Sequence, residues 1–129
     1  MTTLVFSHPS ALAHVTPEGH PERVDRIKAV NSVLASPALR GFKHREAPLG
    51  TDDHARLAHT AEHVQRMRAI SPESGFEYID PDTVMSPAAH EAALRAIGAS
   101  VAGVDAVFRG EADNVFVAMR PPGHHAEHN

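Results

Sequence analysis

An α/β fold with a mainly parallel sheet flanked by helices is what the order of apolar patterns in this chain predicts. Three stretches carry that expectation: the short apolar run Leu4-Val5-Phe6, an alanine-rich helical pattern from Ser86 to Gly110, and the nearly continuous apolar run Asn114–Met119. Parallel neighbours need a crossover between them, and a strand, helices and a buried strand supply one. The chain has 129 residues, enough for one modest domain with its own core. Aromatic residues make up only 5% and tryptophan is absent, so alanine and valine must do much of the packing.

The first strand, Leu4–Phe6, should end at Ser7-His8-Pro9. A long loop to Pro21 follows, carrying His8, His14 and His20 with three prolines; unstructured loops of that length are usually functional or mobile. Pro21 is a natural first helical position with Glu22 in the first turn. Val24, Ile27, Val30, Asn31 and Leu34 then share one face, predicting an amphipathic helix over 21–36 that stops at Ser36-Pro37. The charges within Phe42–Ala47 make it an edge strand or a loop. Thr51-Asp52-Asp53 and Thr60-Ala61-Glu62 read as helix starts, the second helix running to Ile70 before Ser71–Gly75 breaks it. Glu77–Thr83 is a polar, acidic segment. In the long helix, Ser86 suits the N-cap and Pro87 the first position, while Ala93, Ile97, Val101, Val104 and Phe108 form the apolar stripe. Asn114–Met119 fits a strand buried on both faces.

Charge and composition exclude several functions. The net charge of −4 and the lack of a dense basic run argue against nucleic acid and mildly favour a cationic partner. Without cysteine there is no disulfide framework, and any metal must use His, Asp or Glu. The N-terminus lacks the charged and apolar regions of a signal peptide, and no segment is long enough to span a bilayer. A cytoplasmic location is the expectation.

The chemistry should lie at the end of the last strand. Arg120-Pro121-Pro122-Gly123 turns the chain and delivers two adjacent histidines, His124 and His125. Ligands of open α/β sheets bind beyond the carboxyl ends of the strands. Side-by-side imidazoles can divide a proton-transfer task, one working as acid and base while the other stays charged. A solvated loop with histidines in it is the plainer alternative.

The string Arg120-Pro121-Pro122-Gly123-His124-His125-Ala126, preceded by a buried strand, resembles the signature of the zinc-dependent histone deacetylase and acetylpolyamine amidohydrolase family. Gly19-His20-Pro21-Glu22-Arg23 leading into a helix, and Asp82-Thr83-Val84-Met85-Ser86-Pro87 leading into the long helix, resemble two further blocks of that family in the same order. The resemblance implies a partial arginase/deacetylase-like fold. Residues 1–129 would form the amino-terminal portion of a single catalytic domain, and the substrate would be an acetylated lysine peptide or an acetylated polyamine. It implies that His125 is the general base and acid and that His124 is its electrostatic partner, with Gly123 in the substrate-binding turn. It also implies a place for Arg26 near an internal channel, where a cation could steady departing acetate; a surface helix residue paired with Glu22 is the other reading. Asp80 or Asp82 would match an acidic rim residue that holds the substrate backbone, with surface or capping roles as the alternative.

The family takes its zinc ligands from an Asp-x-His pair and a further Asp beyond the tandem histidines. Those ligands are expected downstream of Asn129, so no metal ligand is assigned within the chain, and the remainder would be supplied by a longer polypeptide or by a complementing chain or oligomer. Asp52-Asp53-His54 is the only Asp-x-His string, but it precedes the histidine pair and sits at a helix start. Tyr78 lies in the wrong segment to be the family's carbonyl-polarising tyrosine. His59 and His63, four apart, suit a partly buried polar face; His128 could join the tandem pair in adventitious chelation; His44 and His90 read as surface residues. Beside the deacetylase stand two other readings: a catalytically incomplete homologue acting as a binding or assembly module, and a histidine-based metal binder.

Overall fold

The structure, a computed structural model, describes residues 1–129. Its centre is a three-stranded parallel sheet in the order β2-β1-β5, formed by β1 (Thr3–Ser7), β2 (Lys43–Glu46) and β5 (Asn114–Ala118). Leu4 pairs with Lys43 on one side and Val115 on the other, and Ser7 with Glu46 and Ala118. All three strands therefore end together, and their carboxyl ends open onto the same loops. As the sequence predicts, β1 is buried and β2 is an exposed edge.

Alternation along β1 divides the core into two layers. Leu4 and Phe6 pack with Ala47, Ala99, Ala106 and Ala112 under the long helix α5 (Ala89–Phe108). Val5 points the other way, joining Ala11 of α1 (Ser10–Ala13), Ile27 of α2 (Val24–Leu34) and Ala118. The remaining elements are a 3-10 helix (Pro37–Leu39), α3 (Asp52–Ala55), α4 (Ala61–Ala69) and an antiparallel ribbon of β3 (Glu77–Asp80) and β4 (Thr83–Met85). Thr51 and Thr60 cap α3 and α4 as expected, each hydroxyl accepting the backbone N–H three residues on.

Several expectations need correcting. The first loop is not wholly irregular: α1 forms within it, its start held by the Ser10 N–H donating to His8 Nδ1 at 3.0 Å. Helix α2 begins at Val24 rather than Pro21, because Glu22 is committed elsewhere: its carbonyl accepts the Thr16 hydroxyl and its carboxylate binds Arg120. The acidic segment is a hairpin strand, exposed on both faces and so without the alternation that marks a half-buried one. Ser86 does not cap α5, whose N-cap is Ala88; its fully buried hydroxyl serves the first loop instead.

Helix α5 also turns a different face to the sheet. Ala92, Gly98, Ala99, Gly103 and Ala106 are buried, while Val104 and Phe108 of the expected stripe are exposed. Small residues win because the helix lies so close to its neighbours. A Cβ on Gly98 would fall 2.2 Å from the Pro48 carbonyl oxygen, and Arg95 donates to the Ala47 carbonyl at 2.9 Å. Strand β5 is an outer strand, with Phe116 exposed, rather than one buried on both faces.

Candidate active site

Beyond the carboxyl ends of β1 and β5, the first loop, the tip of the β3–β4 ribbon and the turn after β5 enclose a cavity of about 480 Å³. Its lining includes His14, His20, Glu22, Arg26, Asp82, His124 and His125. Segments more than a hundred residues apart in sequence thus meet at one mouth.

The polar floor is built from the buried His14, Ser86 and Arg120 and the partly buried Glu22. Arg120, 3% exposed, directs Nε and Nη2 at the two Glu22 carboxylate oxygens at 2.9 and 2.8 Å. Its Nη1 donates to the carbonyls of Ala11, at 2.8 Å, and His14. This fork-to-fork pairing suits the planar guanidinium and satisfies a charge that would otherwise be costly to bury. Burial pushes the Glu22 carboxyl up, but the hydrogen bonds and charge of Arg120, with smaller help from His14 and Arg26, outweigh it and hold the group below its usual range.

His14 stands beside this pair. The Ser86 hydroxyl accepts the Val15 N–H at 3.1 Å and lies 2.9 Å from His14 Nδ1, to which it can donate. That leaves the ring proton on Nε2, facing Glu22 Oε2 at 3.6 Å. Burial, reinforced by the Arg120 charge, lowers the His14 pKa from 6.5 to about 4, so the ring is neutral near pH 7.

His20 ties the first loop to the ribbon. Its Nδ1 accepts the Glu22 N–H at 3.0 Å, so Nε2 carries the proton and donates to the Asp82 carbonyl at 3.1 Å. Gly19, at φ +83°, makes the preceding turn in a conformation that favours glycine. Above the floor stand His124 and His125, exposed, with ring centroids 4.2 Å apart and planes tilted by 48°.

The other site expectations land in different places. Arg26 lines the cavity and lies 3.6 Å from the Glu22 carboxylate, the pairing expected of a surface helix residue. Asp82 lines the mouth, whereas Asp80 is exposed and is not part of the lining. The Thr83 hydroxyl and the Asp82 N–H, at 2.7 Å, hold the Asp80 carboxyl below its ordinary range. Gly123 is exposed in the turn, its carbonyl accepting the Ala126 N–H at 3.0 Å, and is not part of the lining.

Elsewhere, His54 completes the capping box of α3, and Asp52 pairs with Arg68 at 2.7 Å. His59 and His63 stack at 4.6 Å with both Nδ1 atoms buried, the partly buried polar face expected of them. His128 reaches back to donate to the Ala58 carbonyl at 2.7 Å. His90 is not a surface residue: it is half-buried with Nε2 unpartnered, and burial, then the Arg68 charge, lowers its pKa. No three His, Asp or Glu side chains are arranged to hold a metal ion. The residues present therefore do not form the three-ligand set a catalytic zinc requires.

Sequence reasoning named the tandem histidines but missed the floor: His14, Glu22, Ser86 and Arg120. The available signal was that His14 lies in a loop too long to be mere connection, and that Glu22 and Arg120 each stand in one of the family-like blocks.

Comparison with known proteins bears on the family and the fold. Residues 20–129 match the model of the histone deacetylase domain. The chain is 33% identical over 108 residues to a histone deacetylase-like amidohydrolase of Pseudomonas aeruginosa, covering 83% of this chain and 28% of that protein. It is 31% identical over 132 residues to a probable deacetylase of Archaeoglobus fulgidus, covering 98% of this chain and 36% of that one. The crystal structure of the HDA15 HD domain superposes with a TM-score of 0.90 at 30% identity, over all of this chain and 38% of its own. The chain spans well under half the length of each of these relatives.

Proposed function

From the premise that this chain belongs to the histone deacetylase family, we propose that it forms the acid-base part of an amidohydrolase site that removes acetyl groups from lysine side chains or polyamines. The observation carrying this reading is the cavity at the strand ends, where His124 and His125 share a mouth with Arg26, His20 and Asp82.

In the proposed reaction a water oxygen bonds to the amide carbonyl carbon and the C–N bond breaks. His125 takes one proton from the water and passes it to the departing nitrogen, and the second water proton also ends on the amine, so that acetate and an ammonium leave. His124, packed against it at 4.2 Å, is the electrostatic partner. Asp82, at the tip of the ribbon, would hold the substrate backbone at the rim, and Arg26 would steady the acetate anion.

The family's chemistry implies a zinc ion, which when bound supplies Lewis acidity at the carbonyl and an activated water. The residues present do not make a zinc site, so in this reading its ligands would be supplied by a longer polypeptide or a second chain. The test is acetate release from an acetyl-lysine peptide and from an acetylated polyamine, with zinc. The chain is assayed alone and with a complementing segment that carries the Asp-x-His pair. Release only in the complemented form is expected; a folded, zinc-loaded complex that releases no acetate from either substrate would overturn the proposal.

A further inference from the structure

We propose that Arg120 is a positioning residue for the tandem histidines, its buried guanidinium pinning the turn Pro121–His125 to the first loop. Arg120 is the last buried residue of the chain: Pro121 is half-buried and everything from Pro122 to Asn129 is exposed. The turn therefore has no apolar anchor of its own. Within it only the Ala126 N–H to Gly123 carbonyl bond closes the backbone. Its external ties lie at its two ends. On the far side His128 holds Ala58 and Thr60, at 2.7 and 2.9 Å. On the near side Arg120 binds the Glu22 carboxylate and the carbonyls of Ala11 and His14. His124 lies four residues beyond Arg120, so its place against the cavity depends on that clamp.

A buried ion pair is a poor device for stability alone, since apolar residues of similar volume often serve as well or better. What the guanidinium adds is direction: a planar fork fixes the angle at which the chain leaves β5, which a lysine ammonium cannot reproduce. The two contacted carbonyls belong to the same loop that supplies His14 and His20 to the cavity, so one side chain sets both walls relative to each other.

The direct test is backbone amide relaxation by NMR on the 129-residue chain and on Arg120→Lys. In the parent protein the order parameters of Gly123, His124 and His125 are expected near the rigid value of about 0.85. In Arg120→Lys they fall below about 0.6 while β1 and α5 keep theirs. Unchanged order in the turn overturns the proposal. If Arg120→Lys does not fold, the double variant Glu22→Leu/Arg120→Met removes both charges together. A folded core with a mobile turn supports positioning; an ordered turn, or loss of fold in both variants, assigns Arg120 a purely structural role and overturns it. The consequence for turnover rests on the deacetylase reading. In a complemented, active enzyme kcat of Arg120→Lys should fall about 10²-fold with KM little changed, as a small misplacement of a reacting group does. The relaxation measurement needs no activity, so positioning and the deacetylase reading fail separately.

Discussion

His14 is nearly out of reach of water, faces a carboxylate and a guanidinium, and is kept neutral by burial and by Arg120. Its pKa is lowered from 6.5 to about 4, so between those values the unfolded chain binds a proton that the native ring refuses. Stability therefore rises with pH across that window and is lost as pH falls from 6.5 toward 4, by an amount on the order of 3 kcal/mol. Glu22, held below its usual range, adds a second loss at still lower pH, as its carboxylate takes up a proton and releases Arg120. Urea melts at pH 7 and 4.5 should show a larger drop for the parent than for His14→Gln, which has no proton to gain. Equal drops would count against a neutral buried His14. Nothing local in the sequence announces this chemistry: Arg120 stood in a recognisable motif, but its partner Glu22 is 98 positions away. His124 and His125 were legible because they are adjacent and follow a turn.

At the scale of elements, apolar runs located β1, β5 and α5, but not the face that α5 buries. Periodicity favours the stripe of large residues, whereas the packing is decided by how closely the helix approaches the 48–50 segment. Gly98→Ala discriminates between the two criteria. Helix propensity alone would make it stabilising by about 1 kcal/mol. The new methyl would instead meet three backbone atoms within 2.9 Å, at Pro48, Gly50 and Leu49, which cannot yield as a side-chain tip does. A net loss of about 2 kcal/mol or more is expected in denaturant melts. Gly103→Ala, whose contacts are all with the Val115 side chain, should cost less. The ribbon β3–β4 escaped notice because its first strand is exposed on both faces, leaving no alternation to read.

Over the whole molecule, the sheet order leaves β5 without a neighbour on one side, next to a groove formed by Val104, Val107, Phe108, Val115 and Val117. Phe108 is 89% exposed and Val104 58%. Open edges and apolar patches of this kind favour association. Light scattering should show concentration-dependent self-association that Val104→Glu/Phe108→Glu reduces, with little change in melting because neither side chain is buried. A parent chain that stays monomeric at high concentration would contradict this. The α/β class and the order of the three sheet strands and the longer helices were readable from local patterns; the shared cavity was not, because it depends on three distant segments meeting at the strand ends. No helix is long and apolar enough to cross a membrane.

The central claim is that His125 carries the proton in an acetyl-amide hydrolysis whose acid-base half lies in this chain. Its most direct test is acetate release from an acetyl-lysine peptide by the complemented, zinc-loaded protein, comparing parent with His125→Ala at equal folded concentration. The expected result is a fall in kcat of about 10²–10⁴-fold, the usual worth of a positioned acid-base group. A variant that keeps its rate within a few-fold of the parent would contradict the assignment.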